Sequence, residues 1–228
     1  MEKKVLPILL NDFPLFLRYD IQGFRRRNLL CNSFVQIKLL DFQQPPIVWD
    51  IPENNVLFLS DDAYYGNLTW YLARANKSVY VVMYVVKYDT SQYNDPVYVI
   101  LRKLVDLHKR GVNVRVVVDD ETKNSYPATI NYLVGNGVPV RLDESQGKTT
   151  HCKIIVIDGQ YVFIGSHNWT ESALKYNHEA TILVNSSELA SQVEKYIESI
   201  WSSGRSISWC ACCLECLITV FITEYWCV

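Results

Sequence analysis

His151-Cys-Lys-Ile-Ile-Val-Ile-Asp-Gly-Gln-Tyr-Val-Phe-Ile-Gly-Ser-His-Asn168 is the stretch around which the rest of the chain organises itself. Its first half is an apolar, β-branched run headed by two polar residues, and residues two apart in a strand project from one face. On that reading His151 and Lys153 share a surface in register with Ile155 and Ile157, while Cys152, Ile154 and Val156 line the other face. Asp158-Gly159 is a short-range signal for a tight hairpin turn, and Tyr161-Val-Phe-Ile164 has the aromatic and β-branched content of a returning strand. The turn therefore folds Ser166 and Asn168 back toward His151.

Outward from this hairpin, helical and strand patterns alternate. Upstream, Ala63 to Asn76 reads as an amphipathic helix, Ser78 to Val86 as a buried strand, Pro96 to Arg110 as a helix closed by Gly111, and Val112 to Val118 as a strand. Thr129 to Val134 reads as a short helix ended by Gly135-Asn-Gly137, and Val138 to Leu142 as a strand leading into the loop Ser145-Gln-Gly-Lys-Thr-Thr150. Downstream, Ala180 to Val184 is a strand, and Ser187 to Trp201 is a helix with a capping pattern at Ser187. Such alternation predicts an α/β fold, a mixed β-sheet flanked by helices.

The polar residues of the hairpin suit phosphodiester chemistry. An imidazole beside a lysine, a hydroxyl and an amide can hold a phosphate by charge and hydrogen bonds while a ring nitrogen attacks phosphorus. No Asp, Glu and His cluster with metal-ligand spacing sits nearby, so neither a metal nor another cofactor is expected. A lone H-x-K would ordinarily be two strand residues above a core. Here the spacing H-x-K, four residues, Asp, six residues, Gly-Ser-x-Asn is filled by His151, Lys153, Asp158, Gly165, Ser166 and Asn168. This resembles the HKD motif of the phospholipase D superfamily, in particular its small single-motif nucleases. Lys77-Ser-Val-Tyr-Val-Val-Met-Tyr84 and Arg110-Gly-Val-Asn-Val-Arg-Val-Val-Val118 look like that family's first two core strands. The likeness covers about Asn55 to Arg205 and implies a phospholipase D/nuclease-like fold. It also implies that Glu179, in Asn177-His-Glu-Ala180, orients the histidine.

In-line displacement leaves the departing oxygen needing an acid on the side opposite the nucleophile. One motif supplies one side, and the sequence holds no second H-x-K, because His108 is followed by Lys109-Arg110 at a predicted helix end. A homodimer is therefore expected, with one composite site built from two copies of the motif, as the family resemblance also implies. In that site His151 is the nucleophile, Lys153, Ser166 and Asn168 hold the phosphate oxygens, and Glu179 fixes the ring tautomer. Asp158, at the hairpin corner, reads as a turn or supporting residue, as does Gly165.

Of the 228 residues 49% are hydrophobic, enough for one well-packed domain with extensions. The net charge of −2 gives no global attraction to nucleic acid, so phosphate binding would rest on local groups. Arg102, Lys103, Lys109 and Arg110 read first as a solvated helix face. Residues 1–54 form an irregular extension and linker, with Arg25-Arg26-Arg27 and Gln43-Gln44-Pro45-Pro46, ahead of a catalytic domain at 55–205. The tail at 206–228 is apolar and holds five of the seven cysteines. Its readings are a membrane anchor, an element packed in the dimer, or an appendage outside the fold, with Glu215 costing roughly 2.5 to 3.5 kcal/mol against lipid. Zinc at Cys210, Cys212, Cys213 and Cys216 is the minority reading, since compact sites draw on two separated ligand pairs. An odd cysteine count and the absence of a leader pattern point to a reducing, cytoplasmic setting, membrane-associated if the tail anchors.

The expected function is thus a metal-independent phosphodiesterase acting through a phosphohistidine, with single-stranded nucleic acid as the first substrate and phospholipid of the cardiolipin type as the rival. A non-catalytic dimeric nucleic-acid-binding scaffold is the reading from another class.

Overall fold

The computed structural model describes residues 50–145 and 147–207. The arginine triplet at 25–27, the Pro45-Pro46 linker and the cysteine-bearing tail from Trp209 onward lie outside the described residues. In chain order the elements are β1 (Asn55–Ser60), α1 (Ala63–Arg74), β2 (Ser78–Met83), α2 (Pro96–Lys109), β3 (Asn113–Val118), α3 (Asp120–Ser125) and α4 (Pro127–Gly135). They continue with β4 (Val140–Leu142), β5 (Lys153–Ile157), β6 (Tyr161–Gly165), α5 (Glu171–Lys175), β7 (Ala180–Asn185), α6 (Ser187–Ser203) and β8 (Arg205–Ser206).

The strands form one mixed sheet in the order β1-β7-β6-β5-β2-β3-β4-β8. β2, β3 and β4 run parallel, linked through helices, while β5 pairs antiparallel with β2 and opens an antiparallel half through β6, β7 and β1. Both faces of the central strands are covered, which is why they read as unbroken apolar runs rather than as alternating ones. Val79, Val81, Val116, Ile155 and Phe163 pack with α1, α2 and α4 in the larger core through Leu68, Leu72, Ile100, Leu104 and Leu133. On the opposite face Val82, Val117, Val156 and Val162 meet Ala190 and Ile197 of α6. Truncating Leu104 to alanine would cost about 2–5 kcal/mol, the range for a buried leucine in a packed core.

The mixed α/β sheet expected from the alternation is the one found. Four elements left no readable signal: the edge strand β1, the two-residue β8, and the short helices α3 and α5. Helix α6 starts at Ser187 as its sequence pattern implies, but the cap is Ser186, not Ser187: its hydroxyl accepts from the Leu189 N–H at 3.3 Å. At the β5–β6 turn Asp158 and Gly159 have φ of 57° and 65°. Two successive left-handed residues are the requirement of a type I′ hairpin, which Asp-Gly meets with little strain.

Candidate active site

β5 begins at Lys153, so His151 lies in the lead-in rather than in the strand, a correction to the simple two-apart argument. The two side chains meet all the same. Lys153 Nζ is 3.2 Å from both ring nitrogens of His151, and it donates to the His151 carbonyl at 3.0 Å. The main chain at His151 is pinned on both sides: the Thr150 N–H donates to Asp119 at 2.7 Å, and the Cys152 carbonyl accepts from Tyr84 N–H at 2.9 Å. Lys153 is buried, and that burial holds its ammonium pKa below the ordinary lysine value, with the charge of Glu179 acting in the opposite sense.

Tyr84 completes this corner and was not among the residues the sequence singled out. Its ring lies 4.5 Å from the His151 ring, and Lys153 Nζ is 5.0 Å from its centroid. The register explains the meeting: Met83 pairs with Lys153 across β2 and β5, so the next residue along β2 falls opposite the lead-in. A period-two count within one strand carries no such cross-strand information.

The returning strand supplies the second half of the site. Gly165 pairs with Thr181, and a Cβ there would collide with the Thr181 hydroxyl and the Ala180 carbonyl, so only glycine permits this approach. Beyond it, Ser166 Oγ donates to Glu179 Oε2 and accepts from the Ala180 N–H at 3.0 Å. The other Glu179 oxygen accepts from Asn177 at 3.2 Å, and the Glu179 N–H donates to Asp61 at 2.9 Å. The expected Glu179–His151 hydrogen bond is not formed in this chain; the carboxylate serves Ser166 and Asn177 instead and acts on Lys153 through charge. Asn168 Oδ1 is buried without a hydrogen-bond partner among the described residues, an acceptor left open beside the motif.

Two further motif residues are structural. His167, the residue inside Gly-Ser-x-Asn, is buried between the Thr181 hydroxyl at 2.7 Å and the Asp61 carbonyl at 3.0 Å, and it stacks on Tyr64. Burial pushes its pKa down, against the Asp61 carbonyl bond. Asp158 sits at the far end of β5, where its carboxylate accepts from the N–H groups of Asn76, Lys77 and Ser78 at 2.8 to 3.1 Å. It ties the hairpin turn to the start of β2 and stands away from His151, in keeping with its expected role at the turn.

A cavity of about 150 Å³ opens beside His151, walled by Lys148, Thr149, Thr150, Tyr196 and Ser199. A larger one, about 230 Å³, lies at the opposite end of the sheet around Asp158, Arg74 and Trp70, away from the histidine. Cys152 is half-buried, its Sγ 3.6 Å from the Tyr196 hydroxyl. Arg102, Lys109 and Arg110 are exposed on α2, as a solvated helix face should be. Among the described residues no three His, Cys, Asp or Glu side chains are grouped so as to hold a metal ion, and no helix is long and apolar enough to cross a membrane.

Comparison with known proteins places this geometry. A mitochondrial cardiolipin hydrolase of Xenopus tropicalis is 27% identical over 156 residues, 68% of this chain and 70% of that protein. The Xenopus laevis protein of that name is 36% identical over 100 residues, 44% of this chain; the match spans about half of the relative, 47% of its length. Among solved structures, the phospholipase D family member Nuc from Salmonella typhimurium aligns with a TM-score of 0.56 and 26% identity, over 68% of this chain and 99% of that one. NucT from Helicobacter pylori shares the fold, with a TM-score of 0.55 at 20% identity. The family model described as the PLD-like domain of cardiolipin synthase matches residues 68–201, more than half of the chain, and the protein therefore belongs to the phospholipase D superfamily.

Proposed function

We propose that this phosphodiesterase is a metal-independent nuclease that cleaves single-stranded nucleic acid through a phosphohistidine, in a composite site shared by two copies of the chain. The observation that carries the reading is the pairing of the His151 ring with the Lys153 ammonium at 3.2 Å, an imidazole beside a fixed cation. In the first step a His151 nitrogen attacks phosphorus, the P–O bond to the leaving alcohol breaks, and the partner's His151 gives that oxygen a proton. In the second, water attacks the phosphohistidine, the partner's His151 takes the water proton, and the N–P bond breaks. Lys153 and Asn168 hold the non-bridging oxygens, and Ser166, already engaged by Glu179, adds its hydroxyl once that contact loosens. Glu179 would orient His151 in the assembled dimer. The outward face of β1 and β7 supports pairing of two copies: Val56 and Phe58 are 61% and 65% exposed and Ile182 is 40%, and β7 follows directly on Glu179.

The nuclease reading follows the likeness to Nuc, which aligns with this chain over 99% of its own length at 26% identity. A second reading, hydrolysis of an anionic phospholipid, is favoured by the name of the Xenopus relatives. The test offers the full chain single-stranded DNA, duplex DNA, RNA and cardiolipin vesicles in EDTA, with His151→Ala as control. Cleavage of single strands supports the nuclease, cleavage of cardiolipin alone replaces it with the lipid reading, and turnover of neither sinks both.

A further inference from the structure

Next to the site lies a buried acidic cluster that the chemistry above does not use. Asp119, Asp120 and Asp143 are 6%, 9% and 1% exposed. One guanidinium serves two of them: Arg205 donates to Asp143 Oδ1 at 3.1 Å, to Asp120 Oδ2 and, through Nε, to the Asp143 carbonyl at 3.0 Å. Three carboxylates against one cation leave an excess of buried negative charge, the kind of arrangement that takes up a proton. Burial pushes the Asp143 carboxyl pKa up against the Arg205 hydrogen bond, and Asp119 beside it acts in the same direction as burial. Asp143 Oδ2 is buried with no other partner.

Asp119 uses both oxygens on main-chain amides. Oδ1 accepts from Glu121 N–H at 2.9 Å, capping α3, and Oδ2 accepts from Thr150 N–H at 2.7 Å. Thr150 immediately precedes His151 and ends a loop in which Glu144, Ser145, Gly147, Lys148 and Thr149 are exposed. Without this tether the nucleophile would be held from the strand side only, by the Cys152 to Tyr84 contact and the Lys153 bond to the His151 carbonyl.

We propose that Asp119 is a positioning residue for His151, fixing the nucleophile through the Thr150 amide while its other oxygen is held by the Glu121 N–H at the start of α3. The assignment rests on the phosphodiesterase reading for its kinetic consequence but not for its structural one. A misplacement of the order of 1 Å at a nucleophile costs about 100-fold in rate, whereas substrate binding by Lys153 and Asn168 would be spared.

The test separates tether from cap. Asp119→Ser keeps a good helix cap, since a serine hydroxyl accepts from the α3 amides, but it is too short to reach Thr150 as well; Asp119→Ala loses both. With bis(para-nitrophenyl) phosphate as substrate, both variants are expected to lose kcat by roughly 10- to 100-fold with KM within about twofold, and the Ser variant to unfold at a midpoint between those of the wild type and the Ala variant. Hydrogen exchange on the wild-type chain provides a readout that needs neither variant nor turnover: the Thr150 amide is expected to be protected, unlike its loop neighbours. Exchange of Thr150 at the loop rate, or recovery of wild-type kcat in Asp119→Ser but not in Asp119→Ala, would overturn the proposal. Absence of any turnover by the wild type, with Thr150 still protected, would instead sink the proposed function and leave the tether standing.

Discussion

At the turn of the β5–β6 hairpin, Asp158 accepts hydrogen bonds from three successive main-chain amides, whereas at the open end Lys153 is buried against the rings of His151 and Tyr84. The same short hairpin thus carries two charges used in opposite ways. A carboxylate whose lone pairs are filled by fixed amides has nothing left to offer a ligand; its work is to join the turn to β2. A buried ammonium whose near partners are aromatic rings and one carbonyl keeps donors for an incoming anion. The larger cavity lies at the satisfied end and the smaller one at the reactive end, so size is the poorer guide. Free donors on a buried cation distinguish the reactive end from the structural one.

That contrast breaks most sharply at the nucleophile. His151→Ala is expected to lower kcat by about 10⁴-fold or more, measured on any diester the wild type cleaves. When wild-type and His151→Ala chains are mixed and allowed to reassort, activity should follow the square of the wild-type fraction, because each composite site needs two intact motifs. A linear dependence would show that each chain works alone.

Lys153→Met should lower kcat by roughly 10²- to 10³-fold, the scale for removing one preorganised donor to a developing oxyanion. The pH profile sharpens this point. Because burial holds the Lys153 ammonium below its ordinary value, the cation is lost, and activity with it, as pH rises through that depressed pKa. An alkaline fall that moves to higher pH in Lys153→Arg, at reduced rate, would assign the limb to this residue.

At the turn the expected effect changes kind. Asp158→Ala should cost about 2 kcal/mol of stability, read from chemical denaturation, for three charge-assisted bonds at a partly exposed corner. The kcat of the folded fraction should move by less than about twofold, as distant sites act independently. A large loss of kcat would mean that the two ends are coupled. The smallest effect is expected from chelation: EDTA should leave the rate unchanged, and complete inhibition would contradict the protein-only charge stabilisation proposed for Lys153 and Asn168.

Much of the fold was legible because its central strands are short, β-branched and bounded by Gly, Asn and Pro, and because α1, α2 and α6 have one apolar face each. The elements that escaped depend on partners far away in sequence. β1 is an edge strand whose pairing with β7 supplies its hydrogen bonds, and β8 is two residues held against β4. Helices α3 and α5 run six and five residues, capped by Asp119 and Thr170, too short to show a period. In the site, the motif residues were readable from spacing alone. Tyr84, Asp119 and Asp61 were not, since each reaches the motif through register or a long-range hydrogen bond.

Sequence by itself determined the chemistry on offer and its local scaffold: an imidazole, an ammonium, a hydroxyl and an amide on a hairpin turned by Asp158-Gly159. Residue type, period and turn conformation are local properties, and they survive without knowledge of the rest of the chain. Tertiary structure decided the assignments. It gave the motif aspartate's carboxylate to the amides of Asn76, Lys77 and Ser78, and the Gly-Ser-x-Asn histidine to the core. It also gave Glu179 to Ser166 and Asn177, and the position of His151 to a carboxylate 31 residues upstream of Thr150. These outcomes depend on which hydrogen-bonding groups packing brings within reach, and that is fixed only when β2, β5, β6 and β7 take their register.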